Sequence, residues 1–122
     1  MLQQQIYLTR EWIEKYAEVI GAPLMKYEGR MMAPSTMIVI FWKVFDAAPI
    51  SEKDEWIHVK QNCCYEYPLV EEMILDCQLE KVTERNIKQI TYSEFQLNCF
   101  HEGKLLATST TTLMKDDSNE KV

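Results

Sequence analysis

The sequence predicts an α+β domain, an antiparallel sheet with its helices gathered on one face. Three observations carry that prediction: residues 10–20 repeat their apolar side chains at helical spacing, residues 35–45 are apolar on nearly every side, and the chain from residue 56 onward is β-rich and punctuated by turns. Helices followed by a run of strands pack best as helices laid on one face of a sheet. The 122 residues read as a single domain, 1–122, with its core over about 6–114 and a polar tail at 115–122. A chain of this length buries roughly two thirds of the surface its extended form would expose, enough for one core.

"IYLT" at 6–9 supplies a short edge strand, and Thr9 stands where a helix N-cap is needed. Trp12, Ile13, Tyr16, Ala17 and Ile20 then form one apolar stripe. Gly21 and Pro23 end that helix. Residues 22–33 lack periodicity and carry Pro23 and Gly29, so they read as a loop. Ile38 to Trp42 has the composition of a buried strand, yet Ser35 or Thr36 is a ready cap and Pro34 and Pro49 bracket the span, which favours a helix. A helix apolar on most faces belongs inside a protein.

"SEKDE" at 51–55 reads as an exposed charged connection. "WIHVKQNCCYEY" at 56–67 alternates in part, with Trp56, His58 and Lys60 on one side and Ile57, Val59 and Gln61 on the other, and Pro68 closes it. "MILDCQLEKV", "IKQITYSEFQLNCF" and "KLLATSTTTLM" complete four strands in meander-like succession, the last hairpin turning at Gly103.

Composition excludes several classes of function. No apolar run reaches the roughly 18 residues that cross a bilayer. The N-terminus lacks a basic head followed by a long apolar segment, so the expected location is cytoplasmic. A formal charge of -6, with no dense basic patch, argues against nucleic acid as a partner. Cys63, Cys64, Cys77 and Cys99 form no Cys-x-x-Cys or Cys/His cluster, so no metal site is expected. They read as small buried hydrophobes, a disulfide framework being the alternative.

Four words in order give a resemblance. "LTREWIEKYAEVIGAP", "MMAPSTM", "IHVKQNCCYEYPL" and "FHEGKLLATSTTTLM" together resemble the N-terminal-domain type of the MaoC-like dehydratase family, whose fold is the hot-dog. The resemblance implies an antiparallel sheet wrapped around one long central helix, here about 35–45. It also implies pairing with another hot-dog subunit as homodimer or heterodimer, an acyl-thioester tunnel at the subunit boundary, and no cofactor. Active members of that family interconvert trans-2-enoyl and (R)-3-hydroxyacyl thioesters with an Asp and a His in a Gly-Asp-x-Asn-Pro-x-His stretch. A carboxylate and an imidazole there hold one water and exchange protons with the substrate.

In this sequence the stretch is "GAPLMKY": Gly21 matches the Gly, Ala22 stands in place of the Asp and Tyr27 in place of the His. The resemblance therefore implies a subunit inactive alone, one that binds or shapes a site for an acyl-CoA or acyl-carrier substrate beside a partner that supplies the pair. Two alternatives stay open: a thioester enzyme using unconventional residues such as Glu28 with His58, and a homo-oligomeric hot-dog domain with a structural or interaction role.

By the same resemblance, the backbone amides of Ala33, Ser35 and Thr36 would face the thioester carbonyl at the start of the central helix, Pro34 having no N–H to give. The bland reading of "APST" is a helix cap. His58 and Gln61 match the family's His-x-x-Gln strand and would shape the tunnel or the subunit contact; the bland reading of His58 is a hydrogen-bonded histidine at the core edge. Met31, Met32 and Met37 would line an adaptable tunnel or fill the core. Tyr67 stands where the family tends to carry an Arg, which weakens the case for a phosphorylated carrier, and His101 lies in a turn with no chemistry expected.

Overall fold

A computed structural model of the chain describes residues 1–45 and 56–117, and the "SEKDE" connection lies outside the described residues. Strand β1 (Leu2–Leu8) leads into helix α1 (Arg10–Ile20). Thr9 caps that helix, its hydroxyl accepting from the Trp12 amide at 3.1 Å. Gly21 ends it with φ 70°, its own amide and that of Ala22 donating back to Glu18 and Ala17. Only a residue without a Cβ takes that left-handed conformation freely. The helix buries Ile13 and Ala17 against the core.

Residues 22–33 are more ordered than a loop. Strands β2 (Met25–Tyr27) and β3 (Arg30–Met32) pair through a tight turn in which Glu28 and Gly29 both have positive φ. Each strand has three residues, too few for a readable alternation. Met32 bridges to Val70, which fastens this hairpin to the segment after β4.

The central element is a helix, as expected over about 35–45, but among the described residues it is a 3-10 helix over Met37–Val44 and not a long α-helix, and Pro49 lies outside those residues. Four of its eight residues, Ile38, Val39, Ile40 and Val44, are β-branched, which slightly lowers the local preference for a regular α-helix. The expected hydroxyl cap is absent: Thr36 makes no side-chain cap bond and pairs instead with the Tyr16 hydroxyl at 2.7 Å. Packing holds the helix in place, with Met37, Ile38 and Phe41 fully buried.

Strands β4 (Ile57–Tyr65), β5 (Met73–Ile87), β6 (Ile90–His101) and β7 (Lys104–Asp116) complete the sheet. All pairs are antiparallel, in the order β1-β5-β6-β7-β4. Only β5, β6 and β7 form a meander. Strand β4 crosses to the far edge beside β7, and β1 supplies the other edge as expected, beginning at Leu2 and not at Ile6. Strand β7 also runs through Asp116, past the start of the expected tail.

The inner face of the sheet carries the core. Ile6 and Leu8, Leu75 and Leu79, Phe95 and Leu97 all lie below 3 % exposure and pack against α1 and the central helix. Cys77 and Cys99 stand opposite each other in register with their sulfurs 3.5 Å apart, both buried and both free thiols. The hydrogen bond the protonated Cys99 thiol shares with Cys77, together with burial, pushes its pKa far above the ordinary value, so it behaves as a small apolar side chain. Cys64, by contrast, is exposed and Cys63 half-buried, because both lie on the edge strand.

Candidate functional site

The first cavity, about 300 Å³, opens at the start of the central helix between Met32, Ala33, Ser35, Tyr65, Glu66, Tyr67, Pro68 and Leu69. Two backbone docking events build it. Ala33 donates its amide to the Leu69 carbonyl at 2.8 Å, and Glu71 donates to Met31 at 2.8 Å, which zips β3 to residues 69–71. The amides of Glu66 and Tyr67 both donate to Leu106, at 2.8 and 3.2 Å, which lays the post-β4 segment over β7.

Of the three amides expected to face a carbonyl, that of Ala33 is thus already committed. Among the described residues, the amides of Ser35 and Thr36 donate to no protein acceptor, and both residues are exposed. Ser35 lines the cavity and Thr36 does not. The Tyr65 hydroxyl donates to the Ser35 carbonyl, tying β4 to the mouth of the helix. Burial, aided by the neighbouring Cys63 thiol, pushes the Tyr65 phenol above its ordinary pKa, so it remains a hydrogen-bond donor across the neutral range.

His58 and Gln61 are brought together, but in a different place. A bulge in β4 between His58 and Lys60 shifts the register so that His58 opposes Leu113, Gln61 opposes Thr111 and Cys63 opposes Ser109, all inner-face positions of β7. Simple alternation puts His58 and Gln61 on opposite faces; the extra residue, Val59, puts them on one. His58 Nε2 lies 3.0 Å from Gln61 Oε1, which also accepts from the Thr111 hydroxyl at 2.8 Å. The Gln61 amide nitrogen donates to the Ser109 hydroxyl, and Ser109 is completely buried. A second cavity of about 200 Å³ lies over this cluster, lined by Val39, Trp42, His58, Gln61, Thr111 and Leu113.

Gln61 thus serves as the shared partner of two buried hydroxyls; Ser109 has the Cys63 thiol at 3.7 Å as a weaker second partner, and Thr111 bonds Gln61. Gln61→Ala is expected to lower stability by about 1–3 kcal/mol, the usual cost of leaving buried polar groups unpaired. Urea unfolding measures it. A Thr111→Val partner in a double-mutant cycle should show coupling, since the two side chains share a bond.

The pair Glu28 and His58 does not assemble. Glu28 lines a third cavity, with Arg30 and Lys104, whereas His58 lines the second. Ala22 follows the C-cap of α1 and Tyr27 ends β2, so the two positions matched to the family's proton-handling pair hold a methyl group and an exposed phenol. Met31 and Met37 are core residues and Met32 alone of the three methionines meets the first cavity. His101 accepts a structural role, its Nδ1 lying 3.1 Å from the Ile74 carbonyl.

Sequence reasoning missed Glu66 and Leu69, which reach the first cavity only through the docking of residues 66–71. Among the described residues, Glu66 is the one carboxylate lining that cavity, and no imidazole lines it. No cluster of metal-ligating side chains occurs among them either.

No family model matches the sequence, and no curated protein matches it. Solved structures do. The chain superposes on a subunit of the C-terminally truncated HadBC complex, a (3R)-hydroxyacyl-ACP dehydratase from Mycobacterium tuberculosis, with a TM-score of 0.78 and 16% identity, covering 93% of each chain. HtdX from the same organism gives 0.75 and 16%, covering 95% of this chain and 48% of that one. A MaoC-like dehydratase gives 0.70 and 14%, covering 98% and 42%. The chain therefore spans about half the length of the latter two.

Proposed function

We propose that this hot-dog domain, sharing the fold of MaoC-like dehydratases, is a non-catalytic subunit that holds an acyl thioester for an (R)-specific enoyl-thioester hydratase or dehydratase. One observation carries the reading: an apolar cavity sits at the start of the central helix beside the unpartnered Ser35 amide, and its described lining lacks a carboxylate–imidazole pair. Its volume, about 300 Å³, lies at the lower end for small-molecule sites. In this reading the acyl chain lies along Met32, Tyr65 and Leu69, and the Ser35 amide polarises the thioester carbonyl.

The partner is a second hot-dog subunit. Strand β4 is an outer strand of the sheet, and it exposes Ile57 and Val59 by more than half. A bare strand edge is a template for pairing. Tyr65, on the same strand, lines the cavity, so a subunit docked on β4 would stand close enough to supply the proton-handling pair.

Binding tests the reading directly. The chain is titrated with a trans-2-octenoyl N-acetylcysteamine thioester, which carries the acyl group and no phosphate, while backbone amide shifts are followed by NMR. Shifts are expected at Ala33, Ser35 and Leu69. Ser35→Trp, whose indole fills the space of the acyl chain, is expected to weaken binding at least about tenfold, equivalent to about 1.4 kcal/mol. Unchanged affinity in that variant, or no shifts at those amides, would overturn the assignment.

A further inference from the structure

The third cavity, about 350 Å³, lies next to the first and shares Tyr67 and Pro68 with it. Its rim gathers residues from three distant parts of the chain: Tyr27, Glu28 and Arg30 from the β2–β3 hairpin, Tyr67 and Pro68 from the segment after β4, and Lys104 and Leu106 from the start of β7. The Lys104 ammonium sits 3.7 Å from the centre of the Tyr67 ring. A cation held over an aromatic face is positioned without giving up its hydrogen-bond donors.

Arg30 and Lys104 bring two cations to one cavity of a chain whose formal charge is -6. Neither is in an ion pair among the described residues, a state they share with several other surface cations, so their common groove and not their lack of partners sets them apart. Two unneutralised cations share one groove with two tyrosines, and the guanidinium offers a planar fork suited to phosphate oxygens. Glu28 opposes them from the turn of the hairpin. Glu66 lines the neighbouring cavity, so an anion is favoured in the groove of Arg30 and Lys104 and not beside Ser35.

We propose that Arg30 and Lys104 form a binding site for a phosphoryl group on a small molecule whose uncharged arm passes Tyr67 and Pro68 into the first cavity. The identity of that arm as the pantetheine of an acyl carrier rests on the proposed function. Tyr67 lines both cavities, and its ring carries Lys104 at their shared boundary.

The test uses the whole chain and four probes at low salt: inorganic pyrophosphate, coenzyme A, 4′-phosphopantetheine and unphosphorylated pantetheine, with affinities from calorimetry. Pyrophosphate is expected to bind with an affinity that falls as salt rises. Arg30→Gln and Lys104→Gln are each expected to weaken it about tenfold, and Glu28→Gln to tighten it. All three side chains are exposed, so thermal melts should stay unchanged and report an intact fold. Coenzyme A binding more tightly than phosphopantetheine assigns the nucleotide phosphates to the groove; equal affinities assign the pantetheine phosphate.

Absence of pyrophosphate binding, or binding indifferent to both cation substitutions, overturns the site even if the phosphate-free octenoyl thioester binds. Cation-dependent pyrophosphate binding without any contribution from pantetheine upholds the anion site and removes its link to the acyl cavity.

Discussion

Phe41→Ala is expected to destabilise the fold by about 3–5 kcal/mol, the range for removing a buried phenyl ring. Phe41 has no exposed surface, and its ring lies 5.5 Å from that of Trp12 on α1, so it joins the central helix to its neighbour. The effect falls at the upper end because a 3-10 helix has poor hydrogen-bond geometry and depends on its side chains to stay in place. Beside it, Trp42 meets Phe95 edge-on at 5.3 Å, which clamps the same helix to β6. Loss of one clamp leaves the other, so the variant folds with a lowered urea midpoint and an unchanged slope. Phe41→Leu should recover much of the loss by refilling the space. A change below about 1 kcal/mol for Phe41→Ala would mean that the helix is not a structural centre of the domain.

What the sequence made legible was local. Thr9, the apolar stripe of α1 and Gly21 announce a helix with both its ends, and the turn at Gly103 announces a hairpin, because each signal lies within a few residues of the structure it directs. The features that escaped depend on a partner distant in sequence. The apolar run over Met37–Val44 signals a buried helix but does not distinguish α from 3-10 winding, because both bury such a run. The bulge at Val59 exists only relative to β7, and without it His58 and Gln61 cannot share a face. Strand β4 lies beside β7 and not β5, which alternation within a strand does not encode. The candidate site divides the same way. Ala33 and Ser35 were readable in "APST", whereas Glu66 and Leu69 arrive through backbone bonds to Leu106 and Ala33, and the stacking of Lys104 on Tyr67 through the same docking.

Trans-2-enoyl-coenzyme A incubated with the chain alone is expected to stay unhydrated, and the same chain co-expressed with a hot-dog subunit bearing Asp and His at the two matching positions is expected to support turnover. The contrast should reach about 10⁴-fold or more, since each missing acid or base group costs roughly 10²–10⁴. Hydration adds the elements of water across a double bond and needs a group to take a proton from water and a group to give one to carbon. Ala22 offers neither, and the second position holds an exposed phenol, that of Tyr27, in place of an imidazole. Glu66 and His58 line separate cavities, so among the described residues no carboxylate–imidazole pair lines a single cavity.

The mixed assembly should lose its activity on Ser35→Trp in this chain, through a raised KM if the chain contributes binding and not proton transfer. Turnover by the chain alone that disappears in Glu66→Gln would sink the reading and make Glu66 a catalytic carboxylate. Activity of the mixture that ignores Ser35→Trp would assign the whole reaction to the partner and leave this chain's cavity outside it.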